Sequence, residues 1–198
     1  SAGKVYKKHG IPAISPLSTN INVTKDNEWY FRTIFDDNLQ GRFLANYVKR
    51  VLKQDTASII FEDKEYGSYL ARVFEETANT IGLEIKYKWP FKTKAKDRLQ
   101  RLEEIAGDIG RKGDAGAIFL SLHNANDIVR LIKDAGLENL LVAPDAVASK
   151  EFVEGFSEYK KEIENPGYYT SGIYVTTPLI FDTANELAHN FKREYIRE

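Results

Sequence analysis

The fold of this chain is decided by Ala57–Lys88, which reads ASIIFEDKEYGSYLARVFEETANTIGLEIKYK. It opens with the short apolar run Ile59–Phe61, which predicts a buried strand. Apolar residues then recur at helical spacing from Leu70 to Ile81, and Gly82 stands where a helix commonly ends. The segment after Gly82 alternates apolar and polar residues, as a half-exposed strand does. A strand, a helix and a strand within about thirty residues form a βαβ unit, which predicts a parallel sheet with a right-handed crossover.

The rest of the chain repeats this alternation of strands and helices. Strands are predicted near 11–15, 58–61, 83–87, 117–120, 140–142 and 172–176, and helices from Asp37, Tyr66, Asp97, Asn124 and Asp182. Asp37 is interpreted as a helix N-cap whose capping box is completed by Gln40. Three strands are near-continuous apolar runs, which need helices on both faces of the sheet. The predicted class is α/β, with a Rossmann-like, doubly wound, mostly parallel sheet.

The composition excludes several classes of function. Hydrophobic residues make up 42% of the 198 residues and charged residues 29%, which is ordinary for a globular protein. Lys and Arg number 28 against 29 Asp and Glu, so the net charge of −1 gives no electrostatic case for binding nucleic acid or an anionic membrane. The absence of Cys excludes disulfides, thiolate metal sites and Cys nucleophiles.

The common catalytic and cofactor motifs are missing as well. No G-x-S-x-G elbow and no P-loop occurs, and no G-x-G-x-x-G follows a predicted strand. The three histidines, His9, His123 and His189, fall in different elements without ligand-like spacing. The sequence therefore predicts no catalytic residues, no metal site and no cofactor.

Polar side chains follow several predicted strands, at the edge of the sheet where open α/β proteins bind ligands. Ser18, Thr19 and Ser121 offer hydroxyls, Tyr66 a phenol, and Asp63 and Asp145 carboxylates. Hydroxyls and free N–H groups bind a carboxylate, and an acidic side chain neutralises an ammonium, so this set suits a small zwitterion. In the alternative interpretation Asp145 and His123 cap helices, and Tyr66 packs on its own loop.

Five stretches are more specific than generic α/β patterning. They are KKHGIPAISPLSTN (7–20), YFRTIFDDNLQG (30–41), ASIIFEDKEYGSYLARVFEETANTIG (57–82), LVAPDAV (141–147) and GIYVTTP (172–178). In these stretches the chain resembles the extracytoplasmic solute-binding proteins of branched-chain amino acid ABC transporters, which are type I periplasmic binding proteins. The resemblance covers nearly the whole chain, in the family's order.

The resemblance implies a domain organisation. Members of this family have two Rossmann-like lobes joined by three crossovers, with the ligand held between the lobes. Residues 1–35 are then expected to be part of the first lobe, 36–177 the second lobe and 178–198 a return to the first. A complete member is considerably longer, so the chain is expected to be a fragment.

The resemblance also implies site residues. Leu17, through its backbone, and Ser18 and Thr19 are expected to bind the carboxylate and ammonium of the ligand. Tyr66 is expected to face the ligand from the second lobe, and Asp145 to pair with the ammonium.

Two departures from the family pattern leave the ligand's identity open. Leucine-binding members carry an aromatic residue where Leu122 stands, and they carry Glu where this chain has the shorter Asp145. Leu122 and the adjacent His123 complete the set of expected ligand-binding residues.

The expected function is therefore the capture, outside the cytoplasm, of a small molecule. This ligand is expected to be an amino acid or small carboxylate that the protein passes to an ABC transporter permease. Such a protein is periplasmic or extracellular, with or without a lipid anchor, and performs no catalysis. The alternative is the ligand-binding domain of a membrane receptor that signals through a kinase or cyclase. A Rossmann-fold enzyme is a third hypothesis, which the missing catalytic and cofactor motifs disfavour. Fold alone does not choose among these three.

Overall fold

Five parallel strands form the main sheet of the protein, as the sequence predicted. The computed structural model describes residues 2–92, 94, 96–178 and 185–197. The main sheet has the order β4-β3-β5-β6-β7, and every adjacent pair is parallel. A separate parallel pair joins β1 to β2. The strands are β1 (Ala13–Ser15), β2 (Tyr30–Arg32), β3 (Thr56–Glu62), β4 (Glu84–Phe91), β5 (Ala117–Ser121), β6 (Leu141–Ala143) and β7 (Ile173–Val175).

Helices connect the strands and cover both faces of the main sheet. They are α1 (Gly3–His9), α2 (Asp37–Asn46), α3 (Glu65–Ile81), α4 (Arg98–Lys112), α5 (Asn126–Asp134), α6 (Lys150–Glu154), α7 (Lys160–Glu164) and α8 (Glu186–Arg197). Short 3₁₀ turns lie at Ile21–Val23 and Asp145–Val147, and α2 continues into a π-helical turn, Tyr47–Val51, that the sequence did not predict. Among the helices that the structure describes, none combines the length and the apolar character needed to cross a bilayer.

The hydrophobic core lies in two layers, one on each face of the sheet. Because side chains alternate along a strand, Ile59 of β3 joins the layer under α2 and α3, whereas Ile60 joins the layer under α4 and α5. In the first layer Phe74 of α3 stacks on Phe119 of β5, with ring centroids 4.5 Å apart. This two-sided burial confirms the Rossmann-like, doubly wound arrangement.

Helix α2 begins at Asp37, as predicted, but its cap lies one residue earlier than predicted. Its N-cap is Asp36, whose Oδ1 accepts a hydrogen bond from the Leu39 N–H at 2.9 Å, so the assignment of Asp37 as the cap was wrong. Asp36 has the extended backbone that a cap requires, whereas Asp37 is already helical and donates its N–H to the Thr19 carbonyl. The proposed capping box is also wrong, because the Gln40 side chain turns to a different partner, Asp145.

The loop between β1 and β2 is tied down by Arg32. Its guanidinium donates to the backbone carbonyls of Ser18, Thr19, Asn20 and Ile21, and also to the Thr24 hydroxyl. Arg32 thereby fixes the loop that carries the candidate residues 17–19.

The last described helix has an unburied apolar face. The large exposed side chains of α8 are Leu187, Phe191, Tyr195 and Ile196. Part of the predicted helix from Asp182 falls in residues 179–184, which lie outside the described residues.

The division of the chain between two lobes at residues 35/36 and 177/178 stays a prediction.

Candidate functional site

The carboxyl ends of four parallel strands meet at one edge of the main sheet and carry polar side chains. Glu62 ends β3, Ser121 ends β5, Asp145 follows β6 and Thr176 follows β7. Helix α2 adds Gln40 from its first turns. This is the edge at which open α/β sheets bind ligands.

Asp145 receives hydrogen bonds from two directions. Gln40 Nε2 donates to Asp145 Oδ1 at 2.7 Å, and the Tyr66 hydroxyl donates to the same oxygen at 3.4 Å. Gln40 Nε2 also donates to Thr176 Oγ1 at 3.0 Å. These contacts join α2, α3, the segment after β6 and the segment after β7. The alternative in which the Asp145 side chain caps a helix is therefore wrong, since the following helix, α6, is capped by Ser149.

Tyr66 also contacts His123. The two ring centroids are 4.1 Å apart, and His123 Nδ1 lies 3.4 Å from Oε2 of the buried Glu62. His123 faces this cluster and caps no helix, because α5 begins after Ala125 without a side-chain cap. The structure thus brings together three predicted site residues, Tyr66, His123 and Asp145.

Burial and the neighbouring carboxylates keep the Tyr66 phenol neutral. Burial is the largest cause that raises the pKa of Tyr66 well above its ordinary value, and the carboxylates of Asp145, Asp37 and Glu62 raise it further. The hydroxyl is therefore a hydrogen-bond donor throughout the physiological pH range.

A glycine lets α3 start against the strand ends. A Cβ at Gly67 would lie 2.5 Å from the Glu62 carbonyl oxygen and 2.8 Å from the Ser121 carbonyl oxygen. The Ser121 hydroxyl donates to the Gly67 carbonyl at 2.8 Å, which fastens the first turn of α3 to β5. This close approach determines where the adjacent Tyr66 stands.

Asp37 is a second buried carboxylate near this cluster. It is 1% exposed, and its Oδ1 has no hydrogen-bond partner among the described residues. Burial raises the pKa of Asp37 from 3.8 to about 6, and the charges of Asp145 and Asp36 add to the increase. Thr19, through a side-chain hydrogen bond, and Arg32, through its charge, act in the opposite direction.

We expect Asp37→Asn to raise thermal stability at pH 8 by a few degrees. Because the folded-state pKa is raised, the native protein holds more protons than the unfolded chain between about pH 4 and pH 6, so the wild type loses stability as pH rises through that window. The asparagine variant lacks this titration. Melting temperatures of the two proteins, measured from pH 4 to pH 8, should diverge through the window and run parallel above it. Parallel curves over the whole range would contradict the prediction.

The remaining predicted residues lie elsewhere. Leu17 is 77% exposed and Ser18 is exposed, and no hydrogen bond between described residues joins either of them to Asp145. Thr19 is buried and contacts Asp37. Leu122 is enclosed in the core layer under α4 and α5, so the expectation that its side chain lines a ligand site does not hold in this structure.

Sequence reasoning missed four residues of this cluster, namely Asp37, Gln40, Glu62 and Thr176. Gln40 and Thr176 stood in motifs of the resemblance, and Glu62 directly followed a predicted strand, but their side chains were not assigned to the site. The available signal was the position of Glu62 and Thr176 directly at strand ends, where Asp145 had been noticed.

A separate apolar cavity of about 550 Å³ opens between α2 and β7. Among the residues that line it are Phe35, Leu39, Phe43, Tyr47 and Val175, and it reaches the polar cluster at Gln40 and Thr176. None of the seven predicted site residues lines it. Over residues 2–92, 94, 96–178 and 185–197, no three His, Asp or Glu side chains converge in the way metal ligands do.

Known structures define the class of this fold. The leucine-binding protein from Thermotoga maritima superposes with a TM-score of 0.78 at 19% identity, over 98% of this chain and 52% of that one. A branched-chain amino acid transporter substrate-binding protein from Streptococcus pneumoniae, solved with isoleucine, gives 0.72 at 24% identity, over 100% of this chain and 54% of that one. The fold is that of the type I periplasmic binding proteins, which confirms the predicted class.

Sequence comparison then gives the family. The chain belongs to the family described as "Receptor family ligand binding region", whose model matches residues 1–146. An amino acid binding protein of Pseudomonas aeruginosa is 29% identical over 171 residues, which cover 82% of this chain and 43% of that protein. A leucine-, isoleucine-, valine-, threonine- and alanine-binding protein of the same species is 23% identical, over 76% of this chain and 40% of the relative. The chain thus spans less than half the length of these curated relatives.

Proposed function

We propose that this chain is part of a binding protein that captures a small amino acid outside the cytoplasm and delivers it to an ABC transporter permease. The observation that carries the proposal is Asp145, a carboxylate whose Oδ1 is held by Gln40 and Tyr66 at the ligand-binding edge of the sheet. Its Oδ2 has no hydrogen bond from any residue that the structure describes, which leaves it available to an ammonium group. The relatives and structural neighbours, which are amino acid-binding proteins by name, support the same class of ligand.

The proposed ligand lies between two lobes. Leu17, Ser18 and Thr19 contribute from residues 1–35, whereas Tyr66, His123 and Asp145 contribute from residues 36–177. Three hydrogen bonds cross this division in support of a hinged pair: the Asp37 N–H donates to the Thr19 carbonyl, and Glu65 accepts one from each of the side chains of Asn20 and Asn22. Closure of the lobes on the ligand is the signal that the permease reads. The proposed protein is periplasmic or extracellular and needs no cofactor and no catalysis.

The test is a ligand screen on the full-length protein. Thermal shift and titration calorimetry should show stabilisation by aliphatic L-amino acids, because a ligand that binds only the native state adds about 2.7 kcal/mol at a hundredfold excess over Kd. Deaminated carboxylates and sugars serve as the comparison compounds. Stabilisation by sugars with no response to any amino acid would overturn the proposal, and turnover of a bound compound would overturn the assignment as a non-enzyme.

A sensor domain is the second candidate, favoured by the description of the matching family as a receptor ligand-binding region. In that case the same closure is passed to a kinase or cyclase domain across a membrane. The complete reading frame separates the two candidates. A secretory or lipoprotein signal with a stop after the binding module supports the transporter component, whereas a membrane span followed by a signalling domain supports the sensor.

A further inference from the structure

We propose that Gln40 is a positioning residue that orients the Asp145 carboxylate toward the cationic group of the ligand. This inference rests on the proposed function and adds a determinant of specificity to it. Gln40 acts through Asp145 and is not itself a ligand contact.

The orientation of the Gln40 amide is fixed by the chemistry of its neighbours. Nε2 lies 2.7 Å from Asp145 Oδ1 and 3.0 Å from Thr176 Oγ1, so both of its N–H groups have acceptors. Turning the amide over would place its carbonyl oxygen against a carboxylate oxygen, where neither atom carries a proton. The side chain is 1% exposed, so water does not compete for these contacts.

The two donors on Asp145 act on one oxygen, and no described residue donates a hydrogen bond to the other. Gln40 and Tyr66 approach Oδ1 from α2 and α3, and this pair of contacts sets the rotation of the carboxylate. Oδ2 is the oxygen that a ligand ammonium can then reach. Charge-assisted hydrogen bonds depend strongly on such geometry.

The rest of the Gln40 amide makes packing alone an insufficient reason for this side chain. Its Oε1 is buried without a hydrogen-bond partner among the described residues. An unpaired buried acceptor is costly, so a glutamine retained only for packing would be replaced to advantage by an apolar side chain of the same shape. What the amide provides at this position is the donor pair between Asp145 and Thr176.

The experiment uses Gln40→Met in the full-length protein, with two probes, L-leucine and isocaproate. Isocaproate keeps the side chain and carboxylate of leucine but lacks the ammonium. If Gln40 orients Asp145 for the ammonium, the variant should bind leucine about tenfold more weakly and bind isocaproate as the wild type does. Thr176→Val removes only the hydroxyl that accepts the second N–H of the Gln40 amide. It should weaken leucine binding less than Gln40→Met does and leave isocaproate binding unchanged.

The controls separate this inference from a loss of folding and from the proposed function. Gln54→Met is the matched control, because among the described residues Gln54 Nε2 bonds only the nearby Leu52 carbonyl. This variant should leave both affinities unchanged. Equal weakening of both probes by Gln40→Met, or no weakening of leucine, would overturn the positioning role while leaving the proposed function intact. If Gln40→Met fails to fold, Thr176→Val tests the positioning role by the same comparison of leucine and isocaproate affinities. A wild-type protein that binds no amino acid overturns the proposed function itself, and this inference with it.

Discussion

Asp145→Asn in the full-length protein is expected to weaken amino acid binding about ten- to a hundredfold, because a charge-assisted hydrogen bond to an ammonium is lost. Asparagine keeps the shape of the side chain and an oxygen that Gln40 and Tyr66 can bond, so folding should change little. Tyr66→Phe should cost less, because the ring and its contact with His123 are kept. Titration calorimetry with the amino acid that stabilises the wild type most measures both effects.

Asp114→Asn is the matched control for this experiment. Asp114 lies just before β5, at the opposite edge of the sheet, and its Lys86 contact is exposed, so the control should bind as the wild type does. If Asp145→Asn also binds the amino acid as tightly as the wild type, Asp145 does not pair with the ammonium group, and small carboxylates without an ammonium group become the ligands to test. If the substitution unfolds the protein, Asp145 belongs to the scaffold and its assignment to the site is wrong.

Gly67→Ala is expected to destabilise the protein by about 1–3 kcal/mol, the usual cost of forcing atoms into a filled space. The new Cβ would stand 2.5, 2.8 and 2.9 Å from three backbone atoms of Glu62 and Ser121, and backbone atoms cannot rotate away as a side chain can. The first turn of α3 must move off the strand ends, and it carries Tyr66 with it. Urea unfolding followed by circular dichroism measures the stability, and calorimetry should show weaker ligand binding as well.

Gly110→Ala provides the comparison for Gly67→Ala. Gly110 also lies within a helix, α4, but its nearest neighbour to a new Cβ is the Leu137 side chain at 3.7 Å, an ordinary contact. Helix propensity favours alanine over glycine by up to about 1 kcal/mol, so this variant should equal or exceed the wild type in stability. Equal stability of the Gly67→Ala and Gly110→Ala variants would show that α3 is not seated on the strand ends as described.

The sheet could be predicted because its signal is local. The apolar runs of β3, β5 and β6 are dictated by burial on both faces, and the βαβ unit at Ala57–Lys88 determines the parallel direction of its strands. The cap of α2 was missed by one residue because two aspartates stand in succession and either side chain can cap a helix. Asp36 is the cap because its backbone is extended, and the local sequence does not determine which of the two aspartates has that conformation.

The polar cluster was only partly predictable, because its contacts join residues far apart in the chain. Gln40 and Asp145 are separated by 105 positions, and Gln40 and Thr176 by 136, so no local pattern links them. Strand ends indicated Tyr66 and Asp145, because parallel topology brings such ends together. Leu122 follows a strand in the same way, yet its side chain turns inward, and loop position alone does not distinguish inward from outward.

The guanidinium of Arg32 makes the loop after β1 a cooperative unit. One side chain supplies donors to four successive backbone carbonyls and a hydroxyl, alongside the bonds that Asp37 and Glu65 make to the same loop. A lysine at this position would keep the charge, but its three donors lack the planar fork that reaches this set of acceptors. The part of the loop from Ser18 to Thr24 is therefore expected to keep or lose its shape together, and with it the position of the exposed residues Leu17 and Ser18.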